Sequence, residues 1–359
     1  MKFIHIGDVH LGKHLNHSST ESIAKKRRNE IKETFYKVLD LAEKEEVQLL
    51  LIAGDLFEDD SIKISELKEV NYRFSKLKDT HIIIIGGNHD PIHKSSIYSW
   101  VDWSENVYIL GNRIEKVVLE PLNTHIYGMS WNSRYIEEGI LDHVAIEDKE
   151  RINILIAHGD VNLKSKYLPI NIETIKGKQF DYVALGHIHK HRFIEDNIAY
   201  CGSLEPLDFS ETGEHGIIKG EISEEKFLAE FMPFAKRKYA YKKITVNETF
   251  NNEILKGEVE QAVEDVDDLY RIEMIGYKDP LIEFDVESIE TYFFLKDIYI
   301  EIVDHTQPSY DLDNLVKENE NNIIGKYIEA LKEEATQSEE AYKALYYGLE
   351  ALLEEKVKF

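Results

Sequence analysis

VQLLLIAGDLF, residues 47–57, is a block of Leu, Ile and Ala stopped by Gly54 and Asp55. A short apolar run ended in this way reads as a strand buried on both faces. Four other runs share its form: FIHIGDVH (3–10), HIIIIGGNHD (81–90), INILIAHGD (152–160) and FDYVALGHIH (180–189). Each run finishes in residues able to bind a metal ion, namely Asp8 and His10, Asp55, Asn88 and His89, His158, and His187 with His189. Ligands collect where the strands of open sheets end, so residues far apart in sequence can converge there. Imidazole, carboxylate and carboxamide donors without thiolate suit manganese, iron or zinc, and a carboxylate can bridge two ions ~3.5–4 Å apart. Asp55 is the natural bridge. Such an ion pair deprotonates a water and steadies the charge of in-line attack on phosphorus, so the pattern points to hydrolysis of a phosphate ester.

The rest of the composition narrows the setting. The chain has 359 residues, which leads us to expect a large core plus an appended module. With Cys201 as the single cysteine, an internal disulfide and a thiolate metal cage are both excluded, and Cys201 itself reads as a small buried hydrophobe. The opening MKFIHIGDVH runs straight into a strand of the site, and no apolar segment reaches signal or membrane-spanning length. The expectation is a soluble, cytoplasmic protein with no membrane partner. A net charge of −25 looks wrong for a nucleic-acid enzyme, but residues 251–359 hold 28 acidic and 10 basic residues, so most of the excess lies outside the strand-end region. Bound cations would offset more of it.

From 1 to about 235, apolar strands alternate with amphipathic stretches such as 25–44 and 63–78, an α/β pattern. The Lys- and Arg-rich stretch 232–247 marks a boundary. The expected organisation is a phosphoesterase domain over 1–235, a small α+β capping domain over 236–310 and a helical segment over 311–359. The last helix carries Tyr342, Leu345, Tyr346, Leu349, Leu352 and Leu353 on one face, which must be buried, and packing against a neighbouring helix is the simplest way.

GDVH (7–10), GDLF (54–57), GNHD (87–90), AHGD (157–160) and GHIH (186–189) resemble, as an ordered set, the five motifs of the calcineurin-like metallophosphoesterases. AYCGSLEPLDFSETGEHG (199–216) is similar to the stretch after GHxH in DNA repair nucleases of the SbcD and YhaO type, and YKALYYGLEALL near the C-terminus also looks YhaO-like. The resemblance implies a β-sandwich flanked by helices and a centre of two divalent ions, with manganese the expected metal. One ion would be held by Asp8, His10, His189 and the bridging Asp55, the other by Asp55, Asn88, His158 and His187. His89 would stay metal-free and act on the scissile phosphate or the leaving oxygen, with Glu58 as the carboxylate that keeps its imidazole charged. Implied partners are DNA, a second copy of the chain, and an SbcC-like or YhaN-like coiled-coil ATPase attached at the terminal helices.

Outside the motifs, Lys25, Lys26, Arg27 and Arg28 could contact a DNA backbone, although a solvated helix start is the commoner meaning of such a cluster. His14 and His17 lie in the loop after the first motif and read as exposed. The remaining readings of the motifs are a phosphatase or small-molecule phosphodiesterase and a non-catalytic scaffold for an ATPase. Against the first stands Gly86, where protein phosphatases carry an Arg, together with the long C-terminal module. Against the second stands the intact ligand set.

Overall fold

All five apolar runs form strands in the computed structural model, which describes residues 1–14, 21–223 and 226–357. In chain order the first part contains β1 (Lys2–Ile6), α1 (Glu21–Lys44), β2 (Leu49–Ala53), α2 (Ile64–Phe74), β3 (His81–Ile85), β4 (Val107–Ile109), β5 (Glu115–Leu119) and β6 (Thr124–Gly128). It continues through β7 (Ile152–His158), α3 (Ile172–Lys178), β8 (Tyr182–Gly186), β9 (Arg192–Glu195), β10 (Ile198–Tyr200), β11 (Gly216–Ile222) and β12 (Phe227–Pro233). These strands make two six-stranded sheets, ordered β12-β11-β1-β2-β3-β4 and β5-β6-β7-β8-β10-β9. β1 to β4 run parallel, as do β6, β7, β8 and β10, so the C-terminal ends of the motif strands share one edge of the sandwich.

Alternation along each strand builds the layers. Leu49, Leu51, Ala53, Ile83 and Ile85 face Ile126, Ile154, Ile156, Tyr182 and Ala184 of the other sheet and form the core between the two. The opposite face of the first sheet, with Leu50, Ile52, Ile82 and Ile84, packs on Ile31, Phe35 and Val38 of α1 and Leu67, Val70 and Phe74 of α2. Leu155, Ala157, Val183 and Leu185 cluster with Ile175 of α3 on the outside of the second sheet. The result is a helix-flanked β-sandwich. Because both faces of β2 are covered, all of its residues are buried, which explains its unbroken apolar sequence.

The first compact unit comprises Met1–Tyr241 with two returning segments, Asp265–Arg271 and Asp297–Glu301. The second comprises Lys242–Glu264, Ile272–Lys296 and Ile302–Phe359. Elements after residue 235 are β13 (Tyr239–Val246), α4 (Asn252–Ala262), β14 (Leu269–Lys278), α5 (Val286–Phe294), β15 (Tyr299–Asp304), β16 (Gln307–Pro308), α6 (Leu312–Glu318), α7 (Ile323–Ala335) and α8 (Glu339–Val357). Their strands order as β13-β14-β15, with β16 beside β14. Side chains of Asn251, Asp285, Asp311 and Asn322 accept backbone N–H groups at the starts of α4, α5, α6 and α7, each cap contributing ~1 kcal/mol. The apolar face of α8 is covered as its sequence requires: Leu345 and Leu349 are buried against Ile324 and Ile328 of α7. Among the described residues no helix is long and apolar enough to cross a membrane.

The basic cluster at the start of α1 corrects one sequence expectation. Arg27 is buried, with its guanidinium on Glu30 (2.7 Å), Glu205 (3.3 Å) and the carbonyl of Pro206 (3.1 Å). A guanidinium so enclosed has no face left for a phosphate, so Arg27 fastens α1 to the body instead. Lys26 pairs with Asp297 and lies 5.1 Å from the centre of the Tyr299 ring. Lys25 and Arg28 are exposed and half-buried, respectively.

Glu30 sits between Arg27 and Arg237, whose Nη2 approaches it to 2.8 Å. Burial alone would raise its pKa, but hydrogen bonds from Arg237 and Arg27 outweigh that and hold it down to about 2 from an ordinary 4.5. The stabilisation is therefore present above pH 4.5 and is lost as the pH falls through about 2. We expect Glu30→Gln to cost about 3 kcal/mol at neutral pH, by breaking a buried pair. In urea unfolding series the difference from wild type should shrink between pH 4.5 and 2.

Candidate metal centre

Strand ends reach the same level because of register: Ile6 pairs with Ile52, Ala53 with Ile85, and His158 with Gly186. Immediately past these pairs the chain turns sharply. Asp8, His10, Asp55 and His187 all have left-handed backbone, with φ of 51°, 54°, 50° and 96°. Non-glycine residues adopt this region at a cost, and such strain concentrates at functional sites. The turns interlock through Asp8 N–H to Gly54 O (3.0 Å), His10 N–H to Asp55 O (2.9 Å) and His187 N–H to Asp8 Oδ2 (3.0 Å). Gly87 has to be glycine for space: a Cβ there would collide with Asp55 Oδ1 and stand 2.7 Å from His158 Nε2.

Beneath these turns lies Asp90, fully buried, the last residue of GNHD and one to which the sequence alone assigns no role. It accepts the N–H groups of Asp55 (3.1 Å), Leu56 (2.9 Å), Phe57 (3.1 Å) and Gly87 (2.6 Å), and the Tyr98 hydroxyl (2.7 Å). Burial and the charge of Asp55 favour protonation of Asp90. All five partners donate, however, and a protonated carboxyl would have to donate in turn, so the carboxylate is the form this arrangement accommodates.

Three imidazoles are oriented from behind. His10 Nδ1 is 2.8 Å from Glu58 Oε1, His189 Nδ1 is 2.6 Å from Glu211 Oε1, and His158 Nδ1 is 2.9 Å from the carbonyl of Ala53. Since these partners accept, each Nδ1 carries a proton, and Nε2 is the nitrogen that an ion would take in exchange for any second proton. The Nε2 atoms of His10 and His189 converge to 3.3 Å. His158 Nε2 is 3.0 Å from Asn88 Oδ1 and 3.4 Å from Asp55 Oδ2, while His187 Nδ1 is 3.1 Å from Asn88 Oδ1. Donors ~2.1 Å from one ion at ordinary coordination angles lie ~3.0–3.4 Å from each other, so these spacings fit metal ligands.

Electrostatics agree with that fit. Burial opposes charge on His158, yet Asp55 and Asp8 raise it to about 9; burial likewise opposes charge on His189, yet Glu211 and Asp8 raise it to about 9. Burial and neighbouring His158 push His187 down to about 3. Carboxylates that attract protons this strongly also attract divalent cations, which then compete with those protons. Among the described residues the groups able to hold an ion are Asp8 with His10 and His189, Asp8 with Asp55 and His158, and His10 with Glu58 and His89. In the last group Glu58 already receives both imidazoles, which makes it a hydrogen-bonding pair of contacts.

The other Glu58 oxygen, Oε2, is 2.9 Å from His89 Nδ1, and Lys13 Nζ is 3.2 Å from Oε1. That hydrogen bond raises the His89 pKa against its partial burial. His89 also lies beside His10, ring centres 4.8 Å apart, with its backbone N–H on Asp55 Oδ1 (2.8 Å). The structure thus gathers Asp8, His10, Asp55, Glu58, Asn88, His89, His158, His187 and His189 at one place. It leaves the 25–28 cluster on α1, out of contact with them, and His14 exposed; His17 lies outside the described residues. Sequence reasoning missed Glu211, whose Oε2 also takes the Ser203 hydroxyl (3.0 Å) and Leu207 N–H (3.1 Å). It stands inside the stretch 199–216, but nothing in its spacing marks it.

Comparison with known proteins agrees with the site. Residues 1–191 match the Calcineurin-like phosphoesterase family, and the chain belongs to it. It is 27% identical over 248 residues to the uncharacterized metallophosphoesterase YhaO of Bacillus subtilis (strain 168), covering 63% of this chain and 59% of that relative. It is also similar to the D component of the nuclease SbcCD from Staphylococcus saprophyticus, 25% identical over 412 aligned positions that cover both chains completely.

Replacing Asp90 by Asn would put an amide N–H among donors. We expect Asp90→Asn to lower stability by about 3 kcal/mol, read as a fall in the urea midpoint at unchanged slope.

Proposed function

We propose that the chain is a dimetal phosphodiesterase that degrades DNA, acting as an exonuclease on duplex ends and as an endonuclease on single strands. The observation that carries the chemistry is the convergence of two donor sets on Asp55, with the Glu58–His89 pair beside them. Asp8, His10, His189 and Asp55 would hold one ion, and Asp55, Asn88, His158 and His187 the other, with manganese the expected metal. When bound, the ions supply Lewis acidity toward the phosphate and an activated water. His89 supplies a proton to the leaving oxygen, and Glu58 keeps the imidazole charged and aimed. The similarity along the whole chain to a component of a nuclease supports DNA as substrate.

We also propose a place in a larger assembly, a homodimer joined to an SbcC-like or YhaN-like coiled-coil ATPase in the cytoplasm; the similarity to one component of a nuclease supports an assembly of more than one kind of chain. The C-terminal helices are the proposed attachment point, where Ile323 and Tyr347 remain exposed.

The test is digestion of end-labelled linear duplex and circular single-stranded DNA with manganese, beside chelator, His89→Asn and a bis-nitrophenyl phosphodiester. Loss of DNA that disappears with chelator, and falls about 100-fold or more in His89→Asn, is the expected result. Cleavage of the small diester alone would overturn DNA as the substrate of the isolated chain. At saturating manganese, Glu58→Gln should lower kcat, yet add little in the His89→Asn background, because the two act as one unit. Glu211→Gln should weaken manganese binding about 10- to 100-fold in a calorimetric titration, by removing the acceptor behind His189.

A further inference from the structure

Two segments leave the metal centre side by side: WNSRYI, 131–136, and NLKSKYL, 162–168. They are tied by Ile136 N–H to Lys166 O (3.0 Å) and Leu168 N–H to Ile136 O (2.7 Å). Both touch the centre at their inner ends. Trp131 Nε1 donates to the backbone carbonyl of His158 (2.7 Å), and the Tyr167 ring centre lies 4.8 Å from that of His187. From Tyr167 a second aromatic step of 5.7 Å reaches Tyr135, which is 52% exposed.

The charge of this ledge runs against that of the chain. Its two segments hold Arg134, Lys164 and Lys166 and no carboxylate, although Glu137 and Glu138 follow the first segment. Arg134 is held by Asp60 and Asp59. Lys164 and Lys166 meet no carboxylate among the described residues, and Lys166 Nζ stands 4.2 Å from the centre of the Tyr135 ring. An exposed aromatic ring with Lys166 over it, and Lys164 two residues along the same segment, neither facing a carboxylate among the described residues, matches how single strands are held: bases stack on aromatics and phosphates meet cations.

We infer that Tyr135, Tyr167, Lys164 and Lys166 form a subsite for an unpaired nucleotide of a DNA strand, its base on Tyr135 and its phosphate on the lysines. The inference rests on the nuclease reading and adds to it the single-stranded form in which DNA reaches the ions on the His187 side.

The experiment measures anisotropy of a fluorescein-labelled oligothymidine with the full chain in chelator, where no turnover occurs. Tyr135→Ala should weaken binding about tenfold, while Tyr135→Phe keeps wild-type affinity. On the same oligonucleotide with abasic sites, Tyr135→Ala and wild type should bind equally. The double substitution Lys164→Ala with Lys166→Ala should flatten the dependence of log affinity on log salt by about 0.7 for each phosphate that is no longer neutralised. Unchanged oligothymidine affinity in Tyr135→Ala, with wild type still digesting DNA in manganese, overturns the ledge and leaves the nuclease reading intact. Wild type that hydrolyses the small diester but neither binds nor digests DNA overturns both.

Discussion

Five hydrogen-bond donors meet on the carboxylate of Asp90, and the geometry of the centre depends on it. Three of those donors are consecutive amides of the turn that carries Asp55, and a fourth belongs to Gly87, one residue before Asn88. One buried charge therefore sets the distance between two motifs from different strands. The tight approach needs glycine at 87, since any larger residue would push Asp55 and His158 apart. Fold and chemistry meet at this point, because the amides that neutralise Asp90 are the same ones that fix the direction of the Asp55 side chain.

Around that frame, supporting groups decide which imidazole nitrogen faces inward. Carboxylates stand behind His10 and His189, whereas a neutral carbonyl stands behind His158. A carboxylate partner makes the opposite nitrogen a better donor, so the two proposed ion positions are electronically unequal. Glu58 reaches further than Glu211, since its second oxygen engages His89. The group that would hold an ion and the group that would handle the proton are thereby braced by one side chain.

Much of this was legible in the sequence, for a physical reason. Strands buried on both faces must be apolar throughout, so their polar end residues stand out, and Asp8, His10, Asp55, Asn88, His158, His187 and His189 could be read from position alone. Glu58 was readable only through the family resemblance, which implies an acid three residues beyond the bridging carboxylate. Glu211 was not, because its tie to His189 spans 22 positions that include β9 and β10, and the loop that carries it has no periodicity. Arg27 misled because a run of four basic residues looks solvated until Glu205, 178 positions away, is known to lie against it. The returning segments Asp265–Arg271 and Asp297–Glu301 were invisible too, since composition along a chain cannot show which stretches fold back into an earlier unit.

The left-handed turns at Asp8, His10, Asp55 and His187 have a consequence for how this chain can change. Glycine would suit each of those backbone positions better than the residue present, by relieving strain of order 1–3 kcal/mol apiece. Asp8 and Asp55 offset that strain, because their buried carboxylates accept the N–H groups of His187 and His89, so the torsions are held by the same side chains that converge on the centre. The residues that strain the backbone therefore also brace it, and a glycine at 8 or 55 would relax one torsion while leaving a part-buried amide without its acceptor and the centre without a ligand.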